Sequence, residues 1–177
     1  MNGQWDRFAK LLVRDLAIVA ATLALWVPTT NNAGAGSWWP GLVGVLTALL
    51  TVLSGFLVHE WGHLLGAWVA GGAFVLPPGP ASSVFLFRFD SSRNSREQFL
   101  SMSIGGFVAS LVVVVVLLAF LPAGLLATKV ALGLTALGVL ATFVIEIPGC
   151  VKVWRGAPLP TGAAFVSGAE AGDRRAP

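Results

Sequence analysis

Charged side chains are scarce in this chain, and so are cysteine and histidine. Only 11% of its 177 residues are charged, whereas soluble domains carry about a quarter, and 56% of the residues are hydrophobic. This composition excludes an ordinary soluble domain. The single cysteine, Cys150, excludes an internal disulfide, and one cysteine with two histidines excludes a cysteine-rich zinc knuckle.

The sequence also lacks the alternation of polar and apolar residues that is typical of a membrane β-barrel. Since only helices and closed barrels satisfy their backbone groups in lipid, the chain is predicted to be an all-α membrane protein. Its formal charge of +3 does not indicate nucleic acid as a partner. The basic residues lie at the ends of the apolar segments, as orientation in a lipid bilayer requires.

Four apolar segments are long enough to be transmembrane helices. They are predicted over residues 8–28, 41–70, 99–120 and 125–147, the last closed by Pro148-Gly149. The polar loop between the second and third helices contains a run of β-branched and aromatic residues at 83–90, which predicts a short β-strand or hairpin. Three regions are therefore expected: a first helix with an external loop (1–40), a three-helix core (41–156) and a flexible cytoplasmic tail (157–177).

Arginine and lysine are concentrated in three of the five polar regions, at residues 1–15, 71–97 and 152–175. By the positive-inside rule, both termini and the middle loop face the cytoplasm, which predicts a multi-pass integral membrane protein. A cleavable signal peptide is the alternative for the first segment, because Ala33-Gly34-Ala35 resembles a cleavage site.

The second apolar segment contains the sequence His59-Glu60-Trp61-Gly62-His63. His59 and His63 are the only histidines of the chain, and their spacing places both imidazoles on one face of a helix, where they can bind the same metal ion. Glu60 stands where a zinc hydrolase carries its general base. No other ionisable side chain occurs between residues 41 and 72. Because such groups are costly to bury in hydrocarbon, the pattern predicts a metal site inside the membrane.

Glu146 is the expected third ligand of that site. In the predicted topology the second and fourth helices run in the same direction, and a rise of about 1.5 Å per residue puts Glu146 roughly 9 Å inside the membrane boundary, at a depth similar to that of the histidines. Two histidines and one carboxylate form a known catalytic zinc set. Two alternatives stay open: Asp90 is the next candidate ligand, and Glu146 is a possible structural partner of Lys129.

These motifs resemble those of the site-2 protease family of intramembrane zinc metalloproteases, over about residues 41–150. The HEWGH sequence at 59–63 carries the resemblance most specifically. Residues 105–110 (GGFVAS) are similar to the third-helix motif of the family, with Phe107 in place of a proline and Ser110 in place of an asparagine. Glu146 stands near the position of a family aspartate.

The resemblance implies a Zn²⁺ ion, a catalytic glutamate and a membrane-protein substrate that is cleaved within or near its transmembrane segment. The residues that it assigns are Glu60 as the catalytic base, His59, His63 and Glu146 as metal ligands, and Gly105, Gly106 and Ser110 as substrate-binding residues. The strand predicted at 83–90 is expected to bind the unwound substrate by β-augmentation.

The resulting prediction is an intramembrane zinc metalloprotease, with its metalloprotease core at 41–156, in the plasma membrane of a prokaryote. The alternative is a non-proteolytic metal-binding or regulatory membrane protein on the same core, which the substitutions at Phe107 and Ser110 favour. A metal transporter or a membrane scaffold is disfavoured, because the first and third segments offer almost no polar groups along a path.

Overall fold

Four long helices make up most of the part of the chain that the structure describes. The computed structural model describes residues 2–32, 38–83, 85–162 and 164–166. Helix α1 covers Asn2–Asn31, α2 covers Trp38–Val69 and α3 covers Arg96–Phe120. The fourth helix consists of α4 (Leu126–Ala141), a π-helical turn (Thr142–Glu146) and α5 (Ile147–Trp154). All four are long and apolar enough to cross a membrane, which confirms the predicted fold class.

The fourth helix does not end at Pro148-Gly149, so this part of the prediction is wrong. In the π turn the N–H of Ile147 donates to the carbonyl of Thr142, five residues back instead of four. Pro148 lies one residue beyond this turn, as the second residue of α5, and the helix continues through it to Trp154.

The loop between α2 and α3 contains a β-hairpin, as predicted, and a third strand joins it. Strand β1 (Phe74–Val75) pairs antiparallel with β2 (Arg88–Asp90), and β2 pairs parallel with β3 (Phe165–Val166). The strand predicted over 83–90 is correct only for its last three residues; residue 84 lies outside the described residues. β3 comes from the segment that was expected to be a flexible tail.

Helices α2 and α3 pack with their backbones in contact. A Cβ at Gly62 would lie 2.5 Å from the carbonyl oxygen of Gly105, and a Cβ at Gly66 would overlap the carbonyl oxygen of Ser101. The hydroxyl of Ser101 donates to the carbonyl of Gly66 at 2.9 Å. In lipid, such close approach through small residues is a principal source of helix association. It brings the histidine face of α2 against α3.

Helices α1 and α2 are joined by side-chain hydrogen bonds along their length. Thr29 and Thr47 lie 2.8 Å apart between their hydroxyl oxygens, and the indole N–H of Trp26 donates to the hydroxyl of Thr51 at 3.1 Å. These bonds satisfy polar groups that would otherwise face hydrocarbon. The Ala33-Gly34-Ala35 sequence, considered above as a cleavage site, lies outside the described residues.

Candidate metal centre

The two histidines of α2 and the glutamate at the end of the π turn meet at one point. The Nε2 atoms of His59 and His63 lie 3.0 Å apart. Each lies 3.5 Å from Oε2 of Glu146. Among the residues that the structure describes, these three side chains form the group whose ligand atoms are close enough to share a metal ion.

Hydrogen bonds from α3 fix which nitrogen of each imidazole faces this point. Nδ1 of His63 lies 2.9 Å from the carbonyl oxygen of Met102. Nδ1 of His59 lies 3.1 Å from the carbonyl oxygen of Gly106 and 2.7 Å from the hydroxyl oxygen of Ser110. Because a carbonyl oxygen can only accept, both Nδ1 atoms carry the proton, and in the neutral imidazoles the Nε2 lone pairs point at each other. Outer partners of this kind orient metal-binding histidines.

The carboxylate of Glu146 directs a third potential ligand atom, Oε2, toward the Nε2 atoms of the two histidines. Its Oε2 atom is buried and has no hydrogen-bond partner, whereas Oε1 accepts from the hydroxyl of Thr142 at 3.4 Å. A buried carboxylate oxygen beside two imidazole lone pairs is unfavourable unless a cation lies among them. The three atoms are therefore suited to hold a cation.

The separations of these atoms fit a small divalent metal. A point equidistant from three atoms that are 3.0, 3.5 and 3.5 Å apart lies about 1.9 Å from each, close to the Zn–N and Zn–O distances of about 2.0–2.2 Å. Two imidazoles and one carboxylate are also a donor set that zinc uses with a fourth position open.

Glu60 lies next to His59, His63 and Glu146 but is not one of the three potential metal ligands. Its side chain is buried, with 7% of its surface exposed, and its Oε2 accepts the backbone N–H of Leu86 at 3.0 Å. That bond explains why residues 85–87 are not part of the strand predicted there: the Leu86 N–H is directed to Glu60 instead of to a neighbouring strand. The loop after β1 thereby fixes one oxygen of the carboxylate.

Glu60 and both histidines line a cavity of about 700 Å³. The rest of its wall is mostly apolar and includes aromatic side chains from the loop (Phe85 and Phe87), α3 (Phe107) and β3 (Phe165). Apolar cavities with a few convergent polar groups are typical of ligand sites. The cavity therefore has space for apolar groups beside the three potential ligands.

The three residues expected to bind substrate have specific contacts in the structure. Gly105 packs against the backbone of Gly62, and Gly106 lies against the ring of His63. Ser110 lines the cavity and binds Nδ1 of His59. The two glycines thus contact the helix that carries the histidines. Ser110 forms a hydrogen bond with one of these histidines, His59.

Asp90 and strand β2 do not have the partners that the sequence predicted for them, a metal ion and a substrate strand. Oδ1 of Asp90 accepts hydrogen bonds from both the backbone N–H and the hydroxyl of Ser92, at 3.1 and 2.7 Å. Its carboxylate therefore stabilises the turn that follows β2. β2 is also the central strand of the sheet, paired on both sides. Addition of a substrate strand to β2, as expected from the sequence, is not possible while β1 and β3 are in place.

Two backbone groups that contact the site residues could not be predicted from the sequence. The carbonyl of Met102 and the N–H of Leu86 act through the backbone, so the identity of neither residue indicates its role. The small-residue run at the start of α3 was the available signal for close packing, and it places the Met102 and Gly106 carbonyls within reach of the imidazoles.

No protein-family model, curated protein or solved structure matches this chain. The geometry and chemistry of the site are therefore the basis for assigning a function.

Proposed function

We propose that this protein is an intramembrane zinc metalloprotease of the type that the site-2 protease family represents. The observation that carries the proposal is the convergence of His59, His63 and Glu146 at 3.0–3.5 Å, with Glu60 adjacent in the same cavity. This group lies on helices long and apolar enough to cross a membrane. A metal-binding histidine pair with a neighbouring glutamate is the arrangement that zinc-dependent peptide hydrolysis uses.

His59, His63 and Glu146 would hold the metal ion. A bound Zn²⁺ supplies Lewis acidity, which polarises a peptide carbonyl and makes water more acidic. The chain's own residues prepare this function. The Met102 and Gly106 carbonyls hold both imidazoles with Nε2 directed inward, and Thr142 binds the other oxygen of Glu146.

Glu60 is the general base and acid of the proposed reaction. It takes a proton from the attacking water and returns it to the nitrogen that leaves when the peptide bond breaks. The Leu86 N–H holds the carboxylate in place during both transfers. A helical substrate must first unwind locally, because its carbonyls are hydrogen-bonded within the helix. The apolar wall of the cavity suits the side chains of such a membrane segment.

The proposed orientation follows from the basic residues of the sequence. Arg7, Lys10 and Arg14 near the start, and Lys152 and Arg155 near the end, place both termini in the cytoplasm by the positive-inside rule. The loop that carries β1 and β2 then lies on the same side. We propose the plasma membrane of a prokaryote as the location.

A second function, metal binding in a regulatory role, is supported by two observations. The hydroxyl of Ser110, where the site-2 family has an asparagine, bonds to His59, and Phe107 replaces the family's proline. If the protein only binds metal, for a regulatory role, the site would hold zinc without cleaving any membrane peptide.

The experiment that separates these functions uses Glu60→Gln. Full-length protein in detergent is loaded with zinc and incubated with a panel of tagged single-span peptides, and products are identified by mass spectrometry. Under the proposal, wild-type protein cleaves at least one peptide, and Glu60→Gln abolishes cleavage while the zinc content stays unchanged. Glu97→Gln, which changes an exposed glutamate in the first turn of α3, is the matched control and stays active.

Zinc binding without cleavage by the wild-type protein would support the regulatory function. Cleavage by Glu60→Gln at the wild-type rate would contradict the role of Glu60.

A further inference from the structure

Helix α1 lies outside the part of the chain that resembles a known family, yet it binds the HEWGH sequence directly. The indole N–H of Trp61 donates to Oδ2 of Asp15 at 2.8 Å. The ring of Phe8 meets the ring of Trp61 edge to face, with 5.3 Å between their centroids. Trp61 directly follows Glu60, so two residues of α1 hold the neighbour of the proposed base.

Asp15 is a buried carboxylate on a helix that can cross the membrane. Only 4% of its surface is exposed, and a carboxylate in such a place is retained only when it is paired. Its other oxygen, Oδ1, accepts from Nε of Arg14 at 2.6 Å. Each carboxylate oxygen of Asp15 thus has a partner: Oδ2 accepts from Trp61 on α2, and Oδ1 accepts from Arg14, the preceding residue of α1.

Arg14 extends this contact to the loop that holds Glu60. Its guanidinium donates a hydrogen bond to the carbonyl oxygen of Pro80, in the loop between β1 and β2. Six residues later the same loop supplies the Leu86 N–H that binds Glu60. Leu11 of α1 and Leu86 belong to one buried hydrophobic cluster, with 2% and 1% of their surfaces exposed.

The two contacts hold both partners of the Glu60–Leu86 hydrogen bond. Through Trp61, Asp15 adds a second constraint on the rotation of α2 about its axis, besides the packing of α2 against α3. Successive side chains on a helix point about 100° apart, so with the indole of Trp61 held on α1, Glu60 is directed to a different side of α2, where it meets Leu86. Through Arg14, the same carboxylate holds the loop that delivers the N–H. Loss of Asp15 would release both.

We infer that Asp15 is a positioning residue for Glu60, acting through Trp61 on α2 and through Arg14 on the loop. The inference rests on the proposed function, in which Glu60 is the general base. Helix α1 thereby has a role in positioning Glu60, which residues 59–63 alone do not indicate.

The test compares Asp15→Ala, Asp15→Asn and Trp61→Phe in full-length, zinc-loaded protein. Asp15→Ala should lower kcat roughly 10- to 100-fold, the range in which misplacement of a catalytic group is felt, with KM and zinc content close to those of the wild type. The unfolding midpoint should fall, because Arg14 and Trp61 lose a buried partner, so kcat is compared at a temperature at which the variant is fully folded. Asp15→Asn should retain part of the activity, because its amide oxygen still accepts from Trp61. Trp61→Phe should lower kcat while the Arg14–Pro80 contact stays intact.

Hydrogen exchange provides a readout that does not depend on activity. Asp15→Ala should increase deuterium uptake in the peptide that contains Leu86, as measured by mass spectrometry. Thr29→Val is the matched control: it removes another hydrogen bond between α1 and α2, to Thr47, and should alter neither kcat nor uptake at Leu86.

Equal uptake at Leu86 in Asp15→Ala and Thr29→Val would overturn the inference. So would a loss of activity that only follows the loss of zinc or of folded protein. If wild-type protein cleaves no peptide, the proposed function fails, and the exchange measurement still decides whether Asp15 holds the Glu60–Leu86 pair.

Discussion

Gly106 lies against the imidazole of His63, so close that a Cβ at this position would overlap three atoms of the ring. The carbonyl of the same glycine accepts from Nδ1 of His59. One residue of α3 therefore makes room for one histidine and orients the other. The absence of a side chain at 106 is a requirement of the site, beyond what helix packing alone demands.

Gly106→Ala should displace the His63 ring and lower the affinity for zinc. Overpacking of this kind costs about 1–3 kcal/mol, so the unfolding midpoint should fall as well. Zinc content after dialysis and thermal unfolding measure the two effects. Gly133→Ala on α4 is the control, because a Cβ there meets nothing within 4 Å. Equal zinc retention by both variants would show that the ring tolerates the added methyl group.

Glu146→Gln and Asp90→Asn distinguish the two candidates for the third ligand. Glu146→Gln should weaken zinc binding by more than about 10-fold, since even outer-shell changes cost 10- to 100-fold. Asp90→Asn should leave zinc binding unchanged and lower stability, because Asp90 is buried and caps the turn at Ser92. Competition with a chelator of known affinity gives both values. The reverse pattern would assign the ligand to Asp90.

Ser110→Ala tests the support of His59. Nδ1 of His59 loses one acceptor and keeps the carbonyl of Gly106, so zinc affinity should fall by roughly 10-fold, the lower end of the outer-shell range. Ser103→Ala is the matched control: this serine also lines the cavity, but its hydroxyl donates to the carbonyl of Phe99 within its own helix. If both variants bind zinc as the wild type does, the hydroxyl of Ser110 has no part in the site.

Deletion of Val144 tests the π turn. The N–H of Ile147 would then follow the carbonyl of Thr142 by four residues, as in a regular α-helix, so the deletion should remove the π turn and leave Glu146 directed at the histidines. Zinc binding should therefore be retained. Val144→Ala is the control, since it keeps the length of the turn and removes little from a side chain with 65% of its surface exposed. Loss of zinc from the deletion variant alone would mean that the wider turn itself is needed to bring Glu146 to the histidines.

The sequence was sufficient to predict the four helices and the approach of His59, His63 and Glu146 to one another. The apolar segments exceed the length needed to cross a bilayer, and the spacing of His59 and His63 admits only one helical face. Glu146 was predicted from its depth in the fourth helix, and the structure places its Oε2 at 3.5 Å from both histidines. Strong periodicity and rare ionisable residues made these features predictable.

The remaining features depend on contacts that span distant parts of the chain. The helix continues through Pro148 after a π turn that shifts the hydrogen-bond register, and no local propensity indicates such a shift. β3 exists because Phe165–Val166 pairs with a strand about 75 residues earlier. Leu86 is not part of the strand predicted at 83–90, because its N–H donates to the carboxylate of Glu60 on α2. Local sequence does not determine any of these partners.

The proposed function requires one metal ion shared by His59, His63 and Glu146. X-ray absorption at the zinc edge, on full-length wild-type protein purified without added chelator, measures this directly. The spectrum should show about one zinc per chain, with two imidazole nitrogens and carboxylate or water oxygens at about 2.0–2.2 Å. Zinc bound without imidazole scattering, or no tightly bound divalent metal at all, would contradict the proposed centre.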